Sequence, residues 1–139
     1  EAETALRFAA RRAAKTGGAV RILALIPPAE FVQWGGVQAT MEDEALQRAE
    51  ALVFSAAGTL SEESGIRPSI TVRQGDPVTV VRDTLKEMDD VAALVLGAAA
   101  SGPPGALVSH FAGADAGGMP CPIMIIPGGL DSDTIDRLS

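Results

Sequence analysis

The sequence predicts an α/β domain, an open parallel sheet with helices on both faces. Three observations carry this. Short apolar runs rich in Val, Ile and Leu alternate with longer segments of helical period along the whole chain. The 139 residues, 14.2 kDa, suit one domain spanning residues 1–139. Hydrophobic residues make up 47% and aromatics only 4%, so a sizeable core built from Ala, Val, Leu and Ile is expected.

Ala2 to Lys15 is Ala-rich, with Ala2, Leu6, Ala9 and Ala13 at helical spacing, and Gly17-Gly18 stops it. Val20 to Ile26 is a short β-branched run that reads as a strand and ends at Pro27-Pro28. Residues 27–40 form a long loop holding Trp34, which is either a lid, a dimer contact or a ring plugged into the core. Thr40 before Met41, Glu42 and Asp43 opens a long helix, with Ala45, Ala49, Leu52, Ala56 and Leu60 on its apolar face and Gly65 at its end. The acids at 42–44 suit the positive end of that helix.

Pro68 to Arg73 alternates Ile70 and Val72 with polar residues, as a strand does. Asp76-Pro77 is a helix N-cap with proline in the first position. Val78, Val81, Leu85 and Met88 form that helix's buried stripe. Val91 to Leu96 is expected to be the most buried strand, followed by a Gly/Pro loop from Gly97 to Gly105. Ala106 to Ala116 is a helix candidate, Ile123 to Ile126 the last strand, and Ser132 or Asp131 caps a short final helix.

The order is α-β-α-β-α-β-α-β. Opening on a helix is unusual for such a sheet, and a strand upstream of Glu1 is expected to be missing.

Composition excludes several functions. A net charge of −7 and a pI near 4.6 disfavour a nucleic-acid groove. One cysteine and one histidine exclude an internal disulfide and a Cys- or His-based metal cage. No metal site is expected, and the acids at Asp89-Asp90, Asp131, Asp133 and Asp136 read as a helix end and a solvated tail. The charge-free run from Val91 to Val108 is broken by Gly97, Gly102, Pro103, Pro104 and Gly105, so no membrane span is expected. The charged opening Glu1-Ala2-Glu3 does not read as a signal peptide. A reducing, cytoplasmic setting is expected.

Four motifs then resemble one family, the universal stress proteins. Glu3 to Ala10 looks like its first helix. Arg73-Gln74-Gly75-Asp76-Pro77 followed by Val81 looks like the turn before its third helix. Ala93 to Gly97 looks like its fourth strand ending in glycine, and Pro120-Cys121-Pro122 with Ile123 to Ile126 like its fifth strand. The motifs keep the family's order and spacing and cover essentially the whole chain. The resemblance implies a Rossmann-like five-stranded parallel sheet in the order 3-2-1-4-5, with the first strand absent from this chain. It also implies pairing of two copies through the last strand, here Ile123, Met124, Ile125 and Ile126. Some members bind ATP and others do not.

Binders in that family carry Gly, two residues, Gly, nine residues, then Gly-Ser or Gly-Thr. Gly97 matches the first glycine. Ala100 stands in the place of the second, and Ser109-His110 in the place of the final pair. Gly102 and Gly105 restore the short glycine spacing later. The resemblance thus implies a pocket of Leu25 and Pro27 after the first visible strand, then Leu96, Gly97, Ala98, Gly102, Gly105, Ser109 and His110. Leu25 and Leu96 would line an adenine slot, and the glycine loop would meet ribose and phosphate.

Backbone N–H groups in such a loop can hold phosphate. The alternative is a tight crossover whose glycines serve only its turns, stiffened by Pro103 and Pro104. No Lys or Arg occurs between Val91 and Leu130. A triphosphate would therefore need Mg²⁺ or a cation from elsewhere, such as Arg7 or Arg11, and AMP would be easier to hold than ATP. Ser109 beside His110 suggests a nucleophile and base, but adjacent residues rarely meet in that geometry and no orienting carboxylate is evident. Cys121 between two prolines reads as a buried thiol.

The readings that remain are a non-catalytic protein binding ATP or AMP, and a nucleotide-independent homodimeric module of the same family. The charge-poor stretch from Val91 to Leu130, with Asp115 as its single formal charge, and the bare edge of the last strand favour the second. An enzyme on this sheet ranks last, because no lysine follows the last strand and no Gly-x-Gly-x-x-Gly follows the first.

Overall fold

The computed structural model describes residues 2–26 and 35–139. The segment holding Pro27 and Trp34 lies outside these residues. In chain order the elements are α1 (Ala2–Thr16), β1 (Arg21–Ile26), α2 (Gly35–Ser64), β2 (Ser69–Gln74), α3 (Pro77–Glu87), β3 (Leu94–Ala98), α4 (Ala106–Phe111), a 3₁₀ turn (Ala116–Gly118), β4 (Ile123–Pro127) and α5 (Ser132–Leu138).

The caps explain several boundaries. Gly17, at φ 74°, ends α1, and the Gly18 N–H donates back to the Ala13 carbonyl at 2.9 Å. The Asp76 carboxylate accepts from the Thr79 N–H at 3.1 Å and fixes the start of α3. Asp131, rather than Ser132, caps α5, accepting from the Thr134 N–H at 2.8 Å.

All strand pairing is parallel. β1 pairs with β2 from Arg21 opposite Ser69 to Ile26 opposite Gln74. β3 pairs with β4 from Leu94 opposite Ile123 to Ala98 opposite Pro127. The result is two two-stranded sheets rather than one continuous sheet. The pairs β2-β1 and β3-β4 take places 3-2 and 4-5 of the expected order, and no strand joins them among the described residues.

Strand alternation splits the core into two layers. On one face, Ile22 of β1 packs with Ala10 of α1 and Ala57 and Leu60 of α2. On the other, Leu23 and Leu25 of β1 and Leu94, Leu96 and Ala98 of β3 meet Val81 and Leu85 of α3 and Val108 and Phe111 of α4. The two strand pairs therefore share the α3/α4 layer although they exchange no hydrogen bonds. Phe111 is the one large side chain sealed completely from solvent among the described residues.

Four expectations are corrected. The second helix opens at Gly35, not after Thr40. Its inward stripe runs through Val53, Ala57 and Leu60, which leaves Leu52 72% exposed, because Leu52 lies about 100° round the helix from Val53. β3 is displaced to Leu94–Ala98, with Leu96 buried and the other four residues half-buried. α4 stops at Phe111 rather than Ala116. In the turn that follows, a side chain at Gly113 would stand 3.0 Å from the Ser109 carbonyl oxygen, so the tight return of the chain there favours glycine.

Candidate ligand-binding site

Parallel strands deliver their loops to one end of the sheet, and the Gly97 to Gly105 segment leaves β3 there. Gly97 and Ala98 belong to β3 itself, opposite Ile126 and Pro127. The Ala98 carbonyl accepts from the Gly128 N–H at 2.7 Å, and the Ala99 N–H donates to the Pro104 carbonyl at 3.3 Å. These bonds tie the loop to the turn after β4 and close it on itself. Gly129 of that turn sits against Ala100.

Gly102 has φ 75°, and Gly105, the residue before α4, has φ 108° and ψ 159°. Both are exposed, and a side chain at either would meet nothing within 4 Å. Their glycines are required by backbone conformation, not by crowding within the chain.

The residues expected to form the pocket are brought together only in part. Leu25, Leu96 and Ala98 join one apolar cluster. Leu96 is buried beneath Val81, Leu85, Val108 and Phe111, while Leu25 and Ala98 are half-buried. Gly102, Gly105 and Ser109 lie on the exposed side of the loop and α4. Pro27 is outside the described residues.

His110 faces a different group. Its Nε2 lies 2.5 Å from Asp115 Oδ2, and Asp115 also accepts from Arg82 Nη2 at 2.7 Å. Arg82 Nη2 stands 3.2 Å from the same histidine nitrogen. Asp115 Oδ2 therefore lies within ion-pair reach of both the guanidinium and the imidazole. An orienting carboxylate for His110 thus exists, contrary to expectation. Ser109 and His110 are consecutive on α4 and point about 100° apart. The exposed Ser109 makes no side-chain bond to the ring among the described residues, so the two do not form a nucleophile and base.

The cations proposed from elsewhere are already engaged. Arg7 forks onto Asp136, Nε to Oδ1 and Nη2 to Oδ2, both at 3.0 Å, and its Nη1 meets Glu63 at 3.0 Å. Arg11 Nε lies 2.6 Å from Asp136 Oδ1, off the line of a hydrogen bond. Lys15 donates to the Asp136 carbonyl at 2.9 Å. Asp136 is therefore no solvated tail residue. It pins α5 onto α1, and the Arg7 hydrogen bonds hold its carboxyl below the ordinary carboxylate range.

Cys121 is half-buried rather than buried, packed against the α3/α4 cluster. Desolvation pushes its thiol up from the ordinary value, which opposes thiolate chemistry. No group of three or more His, Cys, Asp or Glu side chains that could hold a metal occurs among the described residues. No helix among them is long and apolar enough to cross a membrane.

Parallel strand pairs flanked by helices, with a glycine loop at the carboxyl end of a strand, define an α/β domain of the Rossmann-like type. The chain matches the universal stress protein family over residues 1–127 and belongs to it. The match ends at Pro127, so α5 and its anchor at Asp136 lie beyond the matched region. No curated protein and no solved structure matches the chain.

Proposed function

We propose that this protein is a non-catalytic, cytoplasmic stress-response protein that binds an adenosine phosphate at the carboxyl end of β3, AMP more readily than ATP. The observation that carries the reading is the 97–105 loop. It is closed on itself by the Ala99–Pro104 hydrogen bond and has positive-φ glycines at 102 and 105. Leu25 and Ala98 supply half-buried apolar surface beside it for a base.

The preference for one phosphate rests on charge. The loop carries no cation, and Arg7 and Arg11 are held by Asp136. Three phosphates would need Mg²⁺ to offset their charge. The separation of Ser109 from the His110–Asp115 pair supports binding without turnover.

Gly97→Leu, with folding checked by circular dichroism, is expected to weaken AMP binding at least about tenfold. Gly102→Ala provides a milder perturbation of the same loop. Wild-type affinity in a folded Gly97→Leu protein would overturn the reading.

A second reading has its own observation. The outer edge of β4 is unpaired among the described residues, and Ile125 is 40% exposed on it. It supports a homodimer formed through β4 that acts without nucleotide. Met124 and Ile123 are half-buried and Ile126 faces the core, so Ile125 would carry most of that contact. Ile125→Lys should yield a monomer by sedimentation; an unchanged dimer would remove β4 from the interface.

A further inference from the structure

We propose a second ligand site at the opposite end of the sheet, a groove that takes a phosphomonoester with a compact apolar body. Helix α3 runs antiparallel to the strands, so its last turns lie by the amino ends of β3 and β4. Arg82 and Lys86, one helical turn apart, project from the same side of α3. Across from them the chain descends from α4 through Asp115, Met119 and Pro120 into β4. The groove between has a volume of about 520 Å³, with Leu85 contributing to its apolar lining. That is the size of a small-molecule site, and an apolar lining with a few convergent charges is the usual composition of one.

Charge defines the ligand. The chain as a whole carries −7, yet this groove presents two cations against one carboxylate. Lys86 forms no ion pair among the described residues. Arg82 is bound to Asp115 at 2.7 Å, but both side chains are more than two-fifths exposed, and such a pair is weak. An incoming phosphate can displace Asp115 from Arg82 and recruit Lys86. Two cations one turn apart suit a doubly charged phosphate better than a singly charged carboxylate. His110 Nε2 contacts the same Asp115 oxygen as Arg82 and leaves the displaced carboxylate a partner.

The site does not depend on the glycine loop or on the nucleotide reading. Its test is an amide-resolved NMR titration of the whole protein with phenyl phosphate, with benzoate and inorganic phosphate as comparisons. Saturable shifts centred on residues 114–120 are expected, with phenyl phosphate tighter than either comparison. Lys86→Gln should weaken phenyl phosphate about tenfold, and Asp115→Asn should tighten it, since the internal competitor is gone. The opposing signs separate ligand recognition from a general loss of fold. Non-saturating shifts, benzoate binding as tightly as phenyl phosphate, unchanged affinity in Lys86→Gln, or shifts confined to residues 97–105 would each overturn the proposal. Failure here would leave AMP binding at the glycine loop untouched, and the two are told apart by which amides move.

Discussion

Gly105→Ala tests whether the loop before α4 is held as described. Gly105 sits at φ 108° and ψ 159°, a region that residues with a Cβ hardly populate. A methyl there would touch nothing within 4 Å, so the entire cost is internal to the residue. That cost is about 1–3 kcal/mol, reduced by about 0.4–1 kcal/mol because alanine also restricts the unfolded chain. Taking the middle of each range, the net loss is about 1.3 kcal/mol, which lowers Tm by roughly 4–7 °C for a domain of this size.

Gly58→Ala is the control. Gly58 lies inside α2, has open space around it and no positive φ, so alanine should stabilise by roughly 0.5–1 kcal/mol. Calorimetric melting of both variants reads out the pair of opposite signs. A Gly105→Ala protein as stable as the parent would refute the argument, because the loop would then be free to adopt another backbone path.

Three further outcomes follow from the packing and the charges. Phe111→Ala removes the one large side chain fully sealed in the α3/α4 layer and should cost about 3–5 kcal/mol in urea denaturation; a loss under about 1 kcal/mol would contradict the core assignment. Asp136 and Asp131 both titrate below their ordinary value of 3.8, held by hydrogen bonds from Arg7 and Thr134 respectively. Their stabilisation is present above that value and is lost as pH falls through their lower folded values. Amide protection of residues 132–138 should therefore fall below about pH 4 while the paired strands β3 and β4 remain protected, and exchange that is uniform along the chain would count against α5 being pinned by these groups. Burial raises the Cys121 thiol, so alkylation by iodoacetamide at neutral pH should be about tenfold slower in the native protein than in urea; equal rates would show an exposed thiol.

Much of the fold was legible in the sequence because its signals are local. The α-β alternation, the glycine stop after α1 and the caps at Asp76 and Asp131 each depend on residues within a few positions of one another. What was not legible depends on distance along the chain. Arg7 and Asp136 are separated by 129 positions, and nothing in either neighbourhood announces the pairing. Arg82 and Asp115 are 33 apart. One signal could have found that pair, since Asp115 is the single formal charge between Val91 and Leu130 and a half-buried carboxylate asks for a counterion.

The misplacement of Leu52 has a different cause. In an Ala-rich helix the stripes through 49, 52, 56 and 60 and through 53, 57 and 60 are nearly equal in hydrophobicity, and only the Ile22 and Ile70 surface of β1 and β2 decides between them. The need for glycine at 113 was likewise hidden, because its reason is a close approach to the Ser109 carbonyl in the folded chain.

The central claim is nucleotide binding at the 97–105 loop. Its most direct test is a calorimetric titration of the protein with AMP and with ATP, each with and without Mg²⁺. The account predicts micromolar binding of AMP independent of Mg²⁺, weaker ATP binding that Mg²⁺ improves, and a matching rise in Tm with ligand concentration. No heat and no thermal shift with millimolar AMP or ATP would contradict it, and the β4 edge would then be the surface through which this stress protein acts.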